Sequence, residues 1–306
     1  MALSYATVDA FTTSKFAGNQ LALVHLPASV ALTQEQKHEI TKEFNYSETV
    51  FIHEPRAGDE PNSWTIDIFT ITSEIPLAGH PVIGTACYLL GSRPGDASGT
   101  VKGSFNTKAG RVALEYDTHT KRASAIFPHN IRVHAAECSR EELVRLQPQL
   151  APYVKASPVV SIVKGMTFAL IELESLAALA AVAKLSQQMT VTLDEGWDQS
   201  LVGAFFYTFP EGLNAGSGLV KLRTRMVEAG VGEDPATGSA SCALASYLAM
   251  MHGRAGQLID FELTQAVEMG RKSDISVQIQ LGESKEVKQV KLGGSAVAVM
   301  EGKLVV

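Results

Sequence analysis

The sequence predicts an α+β fold of two similar halves, each a set of largely antiparallel strands gathered round one buried helix. Three observations predict it. Short strands broken by Gly, Asn or charged turns dominate both halves of the 306-residue chain, with few helices between them, which speaks against a doubly wound parallel sheet. Two apolar stretches, residues 81–90 and 235–251, contain no charged side chain, whereas a surface helix needs a polar face. These stretches belong to a doubled motif, EIPLAGHPVIGTACYLLG at 74–91 and EAGVGEDPATGSASCALA at 228–245, offset by 154 residues. A helix buried on every side, in a chain full of strands, predicts a helix threaded through a cupped or closed sheet, one in each half.

In chain order, the first half supplies strands at LSYATVDAF, QLALVHL, ETVFIHE, WTIDIFT, RVALEYD and RASAIFP. Thr33, with Gln36 three residues on, forms a capping box that predicts a surface helix through about Asn45, with Ile40 and Phe44 among its charges. The polar, Pro-containing stretch 135–157 reads as a crossing between domains, with a surface helix after Ser139 in REELVRLQ. The second half repeats the texture in VVSIVKG, TFALIEL, LVGAFFYT, LVKLRTRMV, ISVQIQL and AVAVMEG, and a third surface helix is predicted from Ser175 over SLAALAAVAKL. The expected domains are 1–128 and 129–294, with the last strand, about 295–306, free to return to the first.

The starts of the two buried helices carry polar residues. Asp234 before Pro235 is an N-terminus signal, because Asp accepts from orphan backbone N–H groups and Pro loses nothing at the first helical position. His80 before Pro81 is read as its counterpart. Each helix is therefore expected to begin at a Gly-containing loop with its positive end outward, a place that binds anions. The backbone at Gly79, His80 and Pro81 and at Thr237, Gly238 and Ser239 is the predicted carboxylate site, in a cleft between the halves. Taken singly, His80 reads equally as a turn histidine and Asp234 as a plain N-cap; their matching places in the repeat favour function.

Composition narrows the partners. A formal net charge of −6 with no Lys/Arg block argues against nucleic acid or an anionic membrane surface and favours a small molecule. The N-terminus shows no basic segment followed by an apolar core, so a cytoplasmic location is expected, and the 235–251 run is too short and small-residue-rich for a membrane span. Three cysteines, Cys87, Cys138 and Cys242, fit reduced thiols better than a disulfide framework. The glycines around Gly216 make no dinucleotide fingerprint, GHP and TGSAS make no nucleophile elbow, and the eight histidines show no metal-ligand spacing.

The segments VDAFTTSKFAGNQLALV, NYSETVFI, FTITSEIPLAGHPVIGTA, GVGEDPATGSASCALASYL and QAVEMGRKSDISV, in this order, resemble the PhzF-like phenazine-biosynthesis isomerases, relatives of diaminopimelate epimerase and proline racemase. The resemblance implies two pseudo-symmetric diaminopimelate epimerase-like domains, each a β-barrel-like sheet around a central helix, an active site between them, no metal or organic cofactor, and a homodimer. It also implies that Glu48 in SETVF is the proton-transferring glutamate, with His80, Asp234 and Ser239 as substrate contacts around it. A carboxyl beside the apolar run TVFI is expected to have its pKa raised toward neutrality by dehydration.

The chain also departs from these relatives. The epimerases and racemases use two thiols, one ahead of each helix, whereas this chain has Ala78, Gly79 and His80 at one place and Asp234 and Pro235 at the other. Proton relocation by one carboxyl is therefore preferred to a two-thiol racemase. Gln20 and Ile71 stand where the family has Pro, and RTRMVEAGV lacks its usual aromatic and Pro, which points to an altered pocket. Two functions follow: a cofactor-independent isomerase acting on a small carboxylic acid, or a ligand-binding or interaction protein that kept the fold without the chemistry. A pure binder needs no general base, so the presence of Glu48 favours the enzyme.

Overall fold

The strands take their places from apolar alternation and the helices from their caps. The structure is a computed structural model and describes residues 2–56, 58–198, 200–213, 218–230 and 232–306. Part of the glycine stretch at Gly216 lies outside the described residues. The chain divides into two compact units, Met1–Ile126 with Leu292–Val306, and Phe127–Lys291.

In the first unit, β1 (Ala2–Ala10) pairs antiparallel with β2 (Asn19–Leu26), and β2 runs parallel to β3 (Glu48–His53). The crossover between β2 and β3 carries α1 (Gln34–Phe44). Its capping box is formed: Gln36 N–H donates to Thr33 Oγ1 and Thr33 N–H donates to Gln36 Oε1, while Asn45 closes the helix at φ 53°. Next, β3 pairs antiparallel with β4 (Ser63–Thr70), which pairs antiparallel with the short β5 (Glu74–Ile75) and parallel with β6 (Thr100–Thr107). Then β6 pairs antiparallel with β7 (Gly110–Asp117), and β7 with β8 (Arg122–Phe127).

Between β5 and β6 lies α2 (Gly79–Leu90), nine of whose twelve residues are buried. It packs on β1, β2, β3, β6 and β7, and also on the last strand of the chain, Ala296–Val305, which is antiparallel to β1. Strands from both ends of the run touch one helix, so the sheet curls round it. The approach is close: a Cβ at Gly84 would stand 2.9 Å from Leu21 Cδ2.

The second unit repeats this order of pairings. β9 (Arg132–Glu137) pairs with β11 (Pro158–Val163), and β11 and β10 (Val154–Ala156) both pair antiparallel with β12 (Met166–Leu173). β12 runs parallel to β13 (Leu201–Thr208), β13 antiparallel to β14 (Leu219–Glu228), and β14 antiparallel to β15 (Gly232–Asp234) and parallel to β16 (Leu258–Gln265). β16 then pairs antiparallel with β17 (Ser273–Leu281). The buried helix α5 (Gly238–His252) packs on β11, β12, β16 and β17. The chain crosses back to the first unit within β18 (Val287–Gly294) and ends in β19 (Ala296–Val305).

Several expectations need correction. The stretch 135–157 is not a crossing: it holds the second half of β9, α3 (Arg140–Leu146) capped by Ser139, and β10, all inside the second unit. The helix from Ser175 is only α4 (Leu176–Ala180), because Arg225 Nη1 reaches the carbonyls of Leu179, Ala180 and Val182 and ends it there. Neither buried helix starts where its Pro suggested. Pro81 is the third residue of α2, which costs nothing because the first four N–H groups of a helix have no intrahelical acceptor. Pro235 lies outside α5, whose N-cap is Thr237, because Asp234 is held in β15 opposite Met226.

The helix starts, Gly79 and Gly238, are thus 159 residues apart, as are Glu74 of β5 and Glu233 of β15. The structural counterpart of His80 is Ser239, not Asp234. Small-residue helices share similar text at several registers, whereas strand pairing admits one.

Candidate active site

Glu48 opens β3 where the strand passes from the exposed loop at Ser47 into the buried run 49–52. Its backbone is fixed opposite Thr70, the last residue of β4, so the carboxyl stands at the end of the paired strands with 16% of the side chain exposed. Loss of water there raises the proton affinity of Glu48 to about 7, a hydrogen bond with Ser47 opposing weakly. Glu48 Oε2 lies 3.2 Å from Nε2 of His80, a contact whose angles fall short of a hydrogen bond. His80 is the second residue of α2, 6% exposed, and its Nδ1 is 3.4 Å from Nδ2 of Asn19 at the start of β2. Gly79 begins the helix, and no side chain caps that end. Glu48 and His80 therefore come together in the first unit, and Asn19 joins them without having been singled out from the sequence.

The other expected site residues belong to the second unit. Asp234 is not an N-cap; its Oδ2 accepts from Thr237 Oγ1 at 2.6 Å and its Oδ1 from the N–H of Ala236 at 3.4 Å. Thr237 provides the N-cap position but no side-chain cap, and Gly238 and Ser239 form the first turn of α5. The turn is held from below by Gln265, which is fully buried: its Oε1 accepts from Thr237 N–H at 3.1 Å, and its Nε2 donates to the Asp234 carbonyl at 2.8 Å and to Thr237 Oγ1 at 3.0 Å. A bidentate pair, Arg225 to Glu233 at 2.8 and 2.7 Å, fixes β15 immediately before Asp234. Both Gln265 and Arg225 escaped the sequence reading. Gln265 ends LIDFELTQ and Arg225 lies in RTRMV, and among the other polar residues of these strands nothing in the sequence sets them apart.

The thiols are elsewhere. Cys87 lies inside α2 and Cys242 inside α5, and burial pushes them up to about 11 and about 12 respectively. Among the described residues no three His, Cys, Asp or Glu side chains are grouped as metal ligands would be. No described helix is long and apolar enough to cross a membrane. Two cavities of the first unit, of about 580 Å³ around His53, Arg56 and Arg111 and about 620 Å³ around Tyr5, His25 and Tyr88, are lined by neither Glu48 nor His80.

Comparison with known proteins decides the family. The PhzC-PhzF family profile, described as phenazine biosynthesis-like protein, matches residues 8–302. The chain belongs to the PhzC-PhzF family. Among its PhzC-PhzF relatives, trans-2,3-dihydro-3-hydroxyanthranilate isomerase of Pseudomonas chlororaphis is 29% identical over 304 residues, covering 98% of this chain and 99% of the relative. The crystal structure of a PhzF-family protein from Bacillus anthracis matches all of both chains with a TM-score of 0.78 at 19% identity. A hydroxyproline epimerase from Agrobacterium vitis matches with a TM-score of 0.59 at 11% identity, covering 99% of this chain and 92% of that one. The fold is thus shared by PhzF-family proteins and racemase-like enzymes, and this PhzC-PhzF chain is an isomerase by class.

Proposed function

We propose that the protein is a cofactor-independent isomerase that moves a proton, and with it a double bond, within a small carboxylic acid, with Glu48 as general base and then general acid. The observation that carries this reading is the Glu48 carboxyl, dehydrated at the head of β3 and balanced near neutral pH between its two forms. A group that must remove a proton from one carbon and return it to another needs both forms to be accessible. As Glu48 takes the proton, the C–H bonding pair passes into the conjugated system of the acid and the double bond moves. The protonated carboxyl then gives the proton to the far carbon and ends unchanged.

The remaining residues are assigned to substrate binding: His80, Asp234 and Ser239 through their side chains, Gly79, Thr237 and Gly238 through the backbone of the two helix starts. The positive end of a helix favours a carboxylate by about 0.3 to 1 kcal/mol when exposed and up to roughly 2 when partly buried. Two pseudo-symmetric domains, a homodimer and a cytoplasmic location are parts of the same proposal. The two-thiol alternative is disfavoured by the buried, proton-retaining state of Cys87 and Cys242.

The first acid to test is trans-2,3-dihydro-3-hydroxyanthranilate, on which the P. chlororaphis relative acts by name. Because Gln20 and exposed Ile71 alter the motifs, a panel of related unsaturated carboxylic acids belongs beside it. The expected result is conversion of at least one acid to a double-bond isomer, followed by absorbance, with no added metal or cofactor. Binding of these acids without turnover of any would reject the isomerase reading in favour of a ligand-binding protein.

A further inference from the structure

The loop that presents Asn19 is built to hold it still. Ala10 of β1 pairs with Asn19 of β2 and closes the loop 11–18. Inside it, the carboxylate of buried Asp9 accepts the N–H of Phe16 at 2.6 Å, and Thr12 Oγ1 accepts that of Ser14 at 3.1 Å. Phe11 and Phe16 hold left-handed backbone at φ 60° and 69°, a conformation that bulky residues adopt only when their surroundings impose it. Gly18 takes φ 66°, and a Cβ there would lie 2.3 Å from the Ala10 carbonyl oxygen. Asn19 emerges from this frame 3% exposed, with its amide Nδ2 at 3.4 Å from His80 Nδ1, on the side of the ring opposite the Glu48 contact.

An amide NH₂ can only donate, so the ring nitrogen it meets must accept. We infer that Asn19 is a positioning residue that fixes the tautomer of His80, leaving the ring neutral with its proton on Nε2, beside Glu48. The consequence rests on the proposed role of Glu48: a neutral imidazole brings no positive charge next to the carboxyl, so Glu48 keeps the proton affinity that its dehydrated place confers. An imidazolium at the same 3.2 Å would hold it ionised, able to take a proton but poor at giving one back.

The test reads the ring directly. In a two-bond ¹H–¹⁵N spectrum of the whole protein at neutral pH, with the His80 signals assigned by their loss in His80→Gln, wild-type Nδ1 should fall in the unprotonated range and Nε2 in the protonated one. Asn19→Asp replaces the donor by a carboxylate that can only accept, and Nδ1 should move to the protonated range. Protonated Nδ1 in the wild type, meaning that Asn19 turns its oxygen to the ring, overturns the inference; so does Nδ1 left unprotonated in Asn19→Asp. Should that variant fail to fold, the wild-type spectrum still decides. The readout needs no turnover, so activity surviving Glu48→Gln would sink the functional reading and leave the tautomer standing.

Discussion

Glu48 faces two demands that pull against each other: a carboxylate is most stable in water, and a base that also serves as an acid needs its proton affinity near the working pH. Burial at the head of β3 settles this toward function and makes stability depend on pH. Below about pH 4.5 the carboxyl is protonated in folded and unfolded chains alike. Between about 4.5 and about 7 the unfolded chain ionises while the folded one retains its proton, so stability falls as pH rises through this window. The loss is at most about 3 kcal/mol, one pKa unit being about 1.4 kcal/mol. Glu48→Gln removes it: relative to wild type, the variant should gain about 1 to 3 kcal/mol between about pH 5 and about pH 8, read from urea midpoints. Equal midpoint differences at the two pH values would mean that Glu48 titrates as an ordinary carboxylate.

At the scale of elements, the turn before α5 depends on side chains far from it in sequence. Arg225 and Glu233 are almost fully buried, and Arg225 also caps the carbonyls that end α4. Arg225→Met should therefore cost about 3 to 5 kcal/mol, since it leaves a buried carboxylate without its cation. Adding Glu233→Met should restore much of this, as a pair replaced together by apolar groups is often neutral. Thermal unfolding of the two variants checks it, and a double variant no more stable than the single one would place the effect in packing instead.

These contacts also show what the sequence could disclose. The cap of α1 was legible because both partners, Thr33 and Gln36, lie within one turn. The buried character of α2 and α5 was legible from the absence of charge. β16 was legible too, since IDFELT within it alternates apolar and polar residues. The start of α5 was not: it is fixed by Gln265, 28 residues away from Thr237, and no local pattern announces that bond. Glu48 itself was reached through family resemblance, because a carboxylate at a strand end carries no signal of its own.

For the whole molecule, the two units share one order of strand pairings around α2 and α5, yet their polar residues differ. The first carries Glu48, His80 and Asn19, and the second carries Asp234, Thr237 and Gln265. A thiol-based racemase needs equivalent bases in both halves, whereas one carboxyl that moves a proton between two carbons needs only one. The most direct measurement of that claim is solvent exchange with the whole enzyme in D₂O. With an acid that the wild type isomerises, deuterium should reach the accepting carbon to the extent that the protonated Glu48 carboxyl trades its proton with solvent before delivering it, and Glu48→Gln should slow both isomerisation and this exchange by about 10²- to 10⁴-fold, the usual cost of losing a general acid–base group. Wild-type rates of exchange in Glu48→Gln would contradict the account.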